Sequence, residues 1–243
     1  AGTVEFLMND NGEFYFLEVN ARLQVEHPVT ELVYGGVDLV ALQIAVAAGG
    51  TVSDGLVNSG PIGWAIECRI NGEDPYENFR PSLGLIDYVE YPNGPGVRFD
   101  SMLFSGLDVP VFYDSLLGKL IVWAETRDLA IQRMQRALQD LVISGPQTNI
   151  PFHRELMKNL DFQAGDIHTN WLENNFNMPV ETKTGNELNL ALAAAAIASL
   201  LKSQDSTGQA MSVGKLSKWT AAARKNGTQE VVISSGESGW RRG

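Results

Sequence analysis

The sequence predicts an α+β fold built from antiparallel sheet and short helices, and three observations carry that prediction. Two strand-like runs, 3–8 and 13–20, flank Asn9-Asp10-Asn11-Gly12, and Asn-Gly is a strong short-range hairpin signal. Between residues 61 and 124, short strand-like stretches are broken by Pro75, Pro81, Gly84, Pro92-Asn93-Gly94-Pro95-Gly96, Gly106 and Pro110, a turn density typical of antiparallel sheet. Ile131, Met134, Leu138 and Leu141 then recur at 3,4,3 spacing, the mark of an amphipathic helix.

Taken in order, the opening hairpin is followed by a helical turn over 28–34, ended by Gly35-Gly36. Asp38 is a suitable N-cap for a second helix over 39–48, closed by Gly49-Gly50. Residues 51–60 form a Gly/Ser/Asn-containing connection, and a domain boundary is expected near residue 60, before a strand over 63–71. Thr126 caps the 3,4,3 helix, with Arg127, Arg133 and Arg136 elsewhere on its surface, and a further helix is expected over 152–159. After Phe176 the composition shifts. Residues 181–187 are polar, 188–201 read as an alanine-rich helix, and 203–217 are rich in Ser, Gly, Gln and Asp. The expected organisation is therefore 1–60, 61–175, and a linker with the start of a further module over 176–243.

Composition narrows the function classes. With 243 residues and 44% hydrophobic content the chain can bury a core. A formal charge of −11 with no Lys/Arg cluster argues against nucleic-acid binding. The longest apolar run, 188–201, is short of the ~20 residues a membrane helix needs. The single cysteine, Cys68, permits no intramolecular disulfide, which fits a reducing intracellular compartment. Ala1-Gly2-Thr3-Val4-Glu5-Phe6 reads as the inside of a strand and Trp240-Arg241-Arg242-Gly243 is abrupt, so the sequence is expected to be a fragment of a longer protein.

The chemistry concentrates at residues 17–26. Leu17, Val19, Ala21, Leu23 and Val25 alternate with Glu18, Asn20, Arg22, Gln24 and Glu26, and an extended chain would put the five polar groups on one side. If Asn11-Gly12 is a two-residue turn, Glu5 lies opposite Glu18. Like charges facing each other on a sheet are destabilising unless something neutralises them. Two carboxylates with an amide oxygen from Asn20 are hard ligands of the kind Mg²⁺ takes together with substrate phosphates, so a metal–nucleotide site is one reading. A solvated polar face on an edge hairpin produces the same alternation.

These residues also resemble a known family. Glu18-Val19-Asn20-Ala21-Arg22-Leu23-Gln24-Val25-Glu26-His27-Pro28-Val29-Thr30-Glu31 is similar to the signature of biotin carboxylases in the ATP-grasp superfamily. Glu67-Cys68-Arg69-Ile70-Asn71 with Glu73-Asp74-Pro75, Gly94-Pro95-Gly96-Val97-Arg98, Tyr113-Asp114-Ser115 with Lys119, and Thr148-Asn149-Ile150 follow in the family's order. The resemblance covers residues 1 to about 175 and implies the C-terminal part of an ATP-grasp domain followed by the biotin carboxylase C-terminal domain.

The resemblance implies ATP, Mg²⁺ or Mn²⁺, and biotin as cofactors, and assigns roles residue by residue. Glu5 and Glu18, with Asn20, hold the metals that bridge ATP phosphates, and Leu7 packs on adenine. Arg22, Gln24 and the Val25 backbone cradle bicarbonate, Glu26 removes its proton, and carboxyphosphate forms. Arg69 stabilises the enolate-like oxygen of biotin, although its position on the face Gly63, Ala65, Glu67, Arg69, Asn71 also suits a structural arginine. Arg98 matches a dimer-interface residue, while Asp114 and Lys119 are expected in structural or interface roles. His27, His153 and His168 lack metal-ligand spacing, and Cys68 is expected to be a small buried residue.

The family's N-terminal domain, glycine-rich lid and phosphate-contacting lysines match nothing here, so this stretch is not expected to catalyse alone. Pro110-Val111-Phe112-Tyr113 stands where many members have a doubled proline. Residues 191–241 loosely resemble the region after the carboxylase domain in α subunits of acyl-CoA carboxylases acting on methylcrotonyl-, propionyl- or acetyl-CoA. Expected partners are bicarbonate, biotin on a carrier domain, a second copy of the parent and a carboxyltransferase subunit. The expected location is the bacterial cytoplasm or mitochondrial matrix. Another ATP-grasp ligase and a non-catalytic dimerisation module are the competing readings.

Overall fold

The computed structural model describes residues 2–110, 112–179 and 194. Residues 1–181 form one compact unit. The expected alanine-rich helix and further module lie almost entirely outside the described residues. The element order is β1 (Thr3–Met8), β2 (Phe14–Asn20), α1 (His27–Val33), α2 (Leu39–Ala47), α3 (Asp54–Val57), β3 (Trp64–Asn71), β4 (Glu73–Asp74), β5 (Arg80–Pro81), β6 (Tyr88–Glu90), β7 (Val97–Ser101), β8 (Leu116–Ala124), α4 (Arg127–Asp140), β9 (Val142–Ser144), α5 (Ile150–Leu156), α6 (Leu160–Ala164) and α7 (Trp171–Asn175). All strand pairs among the described residues are antiparallel, which makes the fold α+β as expected.

The opening hairpin reaches the expected Glu5–Glu18 pairing by a different route. Its turn is Asn9-Asp10-Asn11-Gly12, closed by Gly12 N donating to Asn9 O at 3.0 Å. Asn9 Oδ1 accepts from the Asn11 and Glu13 amides, both at 3.0 Å, and Gly12 takes a φ of 79° that costs glycine little. This sets Met8 opposite Phe14 and Phe6 opposite Phe16, one residue out of the register that an Asn11-Gly12 turn would impose. A β-bulge between Glu5 and Phe6, absorbing Leu17 on the other strand, restores Glu5 opposite Glu18 and Thr3 opposite Asn20.

The main core lies under a three-stranded sheet of order β3-β8-β7. Cys68 and Ile70 of β3 and Leu120 and Val122 of β8 pack against Ala130, Ile131, Met134, Ala137 and Leu138 of α4. Thr126 caps α4 by accepting from Leu129 N, and the 3,4,3 residues are all buried. The arginines of α4 are backbone tethers and not a free surface. Arg127 donates to Phe162 O and Gln163 O, each at 2.6 Å, and Arg133 to Trp123 O. A smaller cluster, Ile86, Leu103, Val109 and Leu117, supports the long loops.

Period-2 alternation gives this sheet a second, charged face. Glu67, Ile121 and Arg98 form one cross-strand row and Arg69, Lys119 and Asp100 the next. Helix α1 packs over β3 and β8, which places residues 26–31 directly above those rows.

Candidate active site

The site assembles from three pieces that the fold brings together. In the hairpin, the Glu5 and Glu18 carboxylates converge on Asn20, whose Nδ2 donates to Glu5 Oε1 at 2.9 Å and to Glu18 Oε1 at 2.8 Å. Gln24 Nε2 donates to the same Glu5 oxygen at 2.7 Å. Amide donors stand where a positive charge is wanted between two facing acids. Among the described residues no group of three His, Cys, Asp or Glu could hold a metal unaided. The donor set of two carboxylates plus one amide that can present its oxygen fits a divalent cation that also takes phosphate oxygens. Such a cation would offset phosphate charge there. Leu7 shares the Glu5 face of β1 and is about half exposed, at 49%.

The strand run 13–20 ends where expected, but the extended alternation expected to continue to Glu26 is corrected by the structure. β2 ends at Asn20, and residues 21–26 turn to enter α1. The turn is held by His27, whose backbone amide and ring Nδ1 both donate to Gln24 O, at 3.3 and 2.8 Å. Strand alternation therefore does not aim Arg22, Gln24 and Glu26. The turn does, and it still brings Gln24 back to Glu5. Arg22 extends from it with Nη1 on Leu23 O at 3.3 Å. Arg22, Gln24, Glu26 and Thr30 line an open cavity of about 400 Å³ together with Leu42 and Val46 of α2.

Glu26 occupies the N-cap position of α1 but makes no capping hydrogen bond. Its Oε2 instead accepts from Arg69 Nη2 at 2.9 Å. Both side chains are about half exposed, and such a pair contributes only ~0–1 kcal/mol to stability. Stability alone does not account for it. Arg69 is aimed from below: its backbone carbonyl accepts from Asn149 Nδ2 at 3.0 Å and from His153 Nε2 at 2.9 Å. Asn149 Oδ1 also accepts from Asn71 N at 2.9 Å, across the β-bulge that follows Ile70. Burial lowers the His153 pKa despite that carbonyl, so its ring acts as a neutral brace. Cys68, on the opposite face of β3, is pushed by burial up to about 12 and is no nucleophile.

Lys119, expected in a structural or interface role, has defined partners here, and one further residue matters more than its position in the sequence suggests. Lys119 sits opposite Arg69; its Nζ donates to Val25 O at 3.0 Å and lies 3.6 Å from Asp100. It thereby fixes the backbone of the residue expected at bicarbonate. Arg98 donates to Glu31 at 2.8 Å and to both Asp100 oxygens at 2.8 and 2.9 Å, so it has partners within this chain. Burial works against the Asp100 charge, yet the Arg98 hydrogen bonds and Lys119 hold its pKa below the usual range. The overlooked residue is Glu67. Burial pushes its carboxyl up to about 7, against the pull of Lys119 and Arg69. Part of the signal was available, because Glu67, Arg69 and their cross-strand partners share one face by simple alternation.

Glu67 gives a pH-dependent stability. An acid whose folded pKa exceeds its unfolded value of 4.5 binds its proton more tightly when folded. Its contribution is fully present below pH 4.5 and is lost as pH rises through about 7. Replacing Glu67 with Met, of similar length, removes the ionisation. The Tm of Glu67→Met relative to the unaltered chain should therefore be more favourable at pH 8 than at pH 4.5, measured by thermal unfolding. A difference independent of pH would mean that Glu67 does not titrate in that window.

The biotin carboxylase C-terminal domain family matches residues 67–174, and the ATP-binding domain of the carbamoyl-phosphate synthase L chain matches residues 1–54. A biotin carboxylase from Nostoc sp. is 49% identical over 71% of this chain and 38% of its own length. One of the subunits of the Methanothermobacter thermautotrophicus pyruvate carboxylase is 49% identical over 71% of this chain and 35% of its own. The chain thus spans little more than a third of these relatives. Among solved structures, the biotin carboxylase domain dimer of Hydrogenobacter thermophilus 2-oxoglutarate carboxylase, in complex with MgADP, ADP and bicarbonate, superposes with a TM-score of 0.68. It is 44% identical, over 71% of this chain and 38% of that one. Both parts of the described chain, the acid-bearing hairpin and the sheet that carries Arg69, thus have their counterparts in biotin carboxylases, and residues 67–174 belong to the biotin carboxylase C-terminal domain family.

Proposed function

We propose that the protein bearing this chain carboxylates biotin with ATP and bicarbonate, and that residues 1–175 supply the metal, bicarbonate and biotin side of the site. The observation that carries the reading is the convergence of Glu5, Glu18, Asn20 and Gln24 beside a Glu26–Arg69 pair formed between α1 and β3. Glu5 and Glu18, with Asn20, would hold a divalent cation with ATP phosphates, and Leu7 would lie against adenine. Arg22, Gln24 and the Val25 backbone orient bicarbonate. Glu26 takes its proton, which leaves an oxygen able to attack the γ-phosphate of ATP, break its bond to the bridging oxygen and give carboxyphosphate with ADP as the leaving group. Arg69, fixed on the sheet, then opposes negative charge on the biotin ureido oxygen, in the manner of a preorganised oxyanion donor.

The carboxyl acceptor is a finer matter. We propose an acyl-CoA, reached through biotin on a carrier domain and a carboxyltransferase subunit, on the loose likeness of residues 191–241 to acyl-CoA carboxylase α subunits. Relatives named for pyruvate and 2-oxoglutarate carboxylation are the alternative. A buried reduced cysteine suits the bacterial cytoplasm or mitochondrial matrix, and no helix among the described residues is long and apolar enough to cross a membrane.

The test is ATP hydrolysis by the intact enzyme with and without bicarbonate and free biotin. The expected result is hydrolysis that requires bicarbonate and rises with biotin. Hydrolysis indifferent to biotin would point to another ATP-grasp ligase.

A further inference from the structure

The charged face beneath α1 has more acids than bases. Four carboxyl groups, Glu26, Glu31, Asp100 and Glu67, meet three cations, Arg69, Arg98 and Lys119. The first three acids are paired: Glu26 with Arg69, Glu31 with Arg98, and Asp100 with both Arg98 and Lys119. Glu67 is the surplus. Both its carboxyl oxygens are inaccessible to solvent, and neither has a hydrogen-bond partner among the described residues. An ionised carboxylate stranded in this way is costly, whereas a neutral acid is far less so.

The groups around Glu67 are known from each element packed on it. Helix α1 and its cap contribute Glu26, His27 and Glu31; β8 contributes Lys119; β7 contributes Arg98 and Asp100; its own strand contributes Arg69. On the far face of the sheet, α4 presents Ala130, Ile131, Met134, Ala137 and Leu138, which carry no charge. Helix α5 contributes His153, engaged with Arg69 O. Glu67 and Arg69 are two apart on one strand face, so the guanidinium that Glu26 holds has Glu67 as its next acid. Electrostatically, Lys119 and Arg69 favour ionisation of Glu67 while Glu26 and Asp100 oppose it.

We propose that Glu67 is a positioning residue that shares one proton with Glu26 across Arg69. While Glu26 is ionised and bound to Arg69, Glu67 keeps its proton up to pH values near 7. When Glu26 is neutralised, Glu67 releases its proton and becomes the countercharge of the guanidinium. This rests on the reading of Glu26 as the base for bicarbonate. The proton balance closes: bicarbonate's proton moves to Glu26, Glu67's proton passes to water, and the charge of the cluster is unchanged. The reverse exchange resets it. Arg69 is thus freed from Glu26 at the stage when it is needed against biotin, yet stays anchored on the sheet and does not swing into solvent. Groups coupled in this way titrate as a pair and not independently.

The experiment is a carbon-13 NMR titration of the Glu67 side-chain carboxyl in this chain, with and without Glu26→Gln, the resonance being assigned by its loss in Glu67→Gln. The expected result is a Glu67 midpoint near 7 in the unaltered chain, falling by about one unit or more in Glu26→Gln, the size of coupling that makes two sites titrate jointly. An unchanged midpoint would overturn the shared proton. In the intact enzyme, Glu67→Gln should lower biotin carboxylation about tenfold or more and flatten its pH profile near neutrality while sparing bicarbonate-dependent ATP cleavage. An unaltered pH profile would overturn the positioning role. Because the NMR midpoint reads no turnover, normal turnover in Glu26→Gln would remove the base assignment and leave the coupling standing.

Discussion

In the intact enzyme, Glu26→Gln should lower bicarbonate-dependent ATP cleavage by ~10²–10⁴-fold, the range ascribed to a positioned general base, while ATP binding is nearly unchanged. The substitution keeps the size of the side chain and an oxygen that can still accept from Arg69 Nη2, so the contact between α1 and β3 survives. Glu26 makes no capping bond, so α1 loses none. The acids expected at the nucleotide, Glu5 and Glu18, are tied to Asn20 and Gln24 and have no contact with Glu26 in their hydrogen-bond set. What disappears is only the capacity to take a proton. Phosphate release with varied bicarbonate, beside nucleotide affinity by calorimetry, separates the two effects. Turnover within a few-fold of the unaltered enzyme would sink the assignment of Glu26.

Several of these features were legible in the residues and others were not, for definite physical reasons. Caps are short-range, and Asp38 and Thr126 cap α2 and α4 as their chemistry dictates. The 3,4,3 spacing of Ile131, Met134, Leu138 and Leu141 reports burial directly, and all are buried. The hairpin shows the opposite case. Its turn is shifted by one residue and a bulge at Leu17 compensates, so the Glu5–Glu18 pairing stands although the turn proposed for it does not. A bulge depends on cross-strand packing, and no local residue announces it. The alternation of residues 21–26 likewise does not report a shared face, because that segment carries an alternating pattern but turns. For Lys119 a structural or interface role is legible in its motif, but the partners that define it, Val25 O and Asp100, come from other elements and follow only from the fold. The surplus carboxyl of Glu67 was visible only as one polar residue on a face, since its isolation depends on which cations its neighbours have already claimed.

Leu138→Ala should destabilise this chain by ~2–5 kcal/mol, measured by denaturant unfolding, the range found for deleting a buried leucine side chain. Leu138 is fully buried in the cluster formed by α4 against Cys68, Ile70, Leu120 and Val122. Collapse into the space is restricted on two sides. The sheet behind it is fixed by antiparallel pairing along β3 and β8, and α5 is tied to this end of α4 by Arg154, whose Nε and Nη2 both donate to Leu138 O, at 3.1 and 2.6 Å. A site that cannot relax keeps its cavity, which favours the upper part of the range. The consequence reaches the chemistry, because Cys68 and Ile70, on the packed side of β3, flank Arg69 on the charged side. A loosened α4 lets that strand breathe, and Asn149 and His153 lose the fixed carbonyl they brace. At temperatures where the variant is still folded, its biotin carboxylation should fall more than its bicarbonate-dependent ATP cleavage, since the hairpin bearing Glu5 and Glu18 takes no part in this core. Equal loss of both activities would mean that Arg69 is held by the α1 contact alone and not by the packing beneath it.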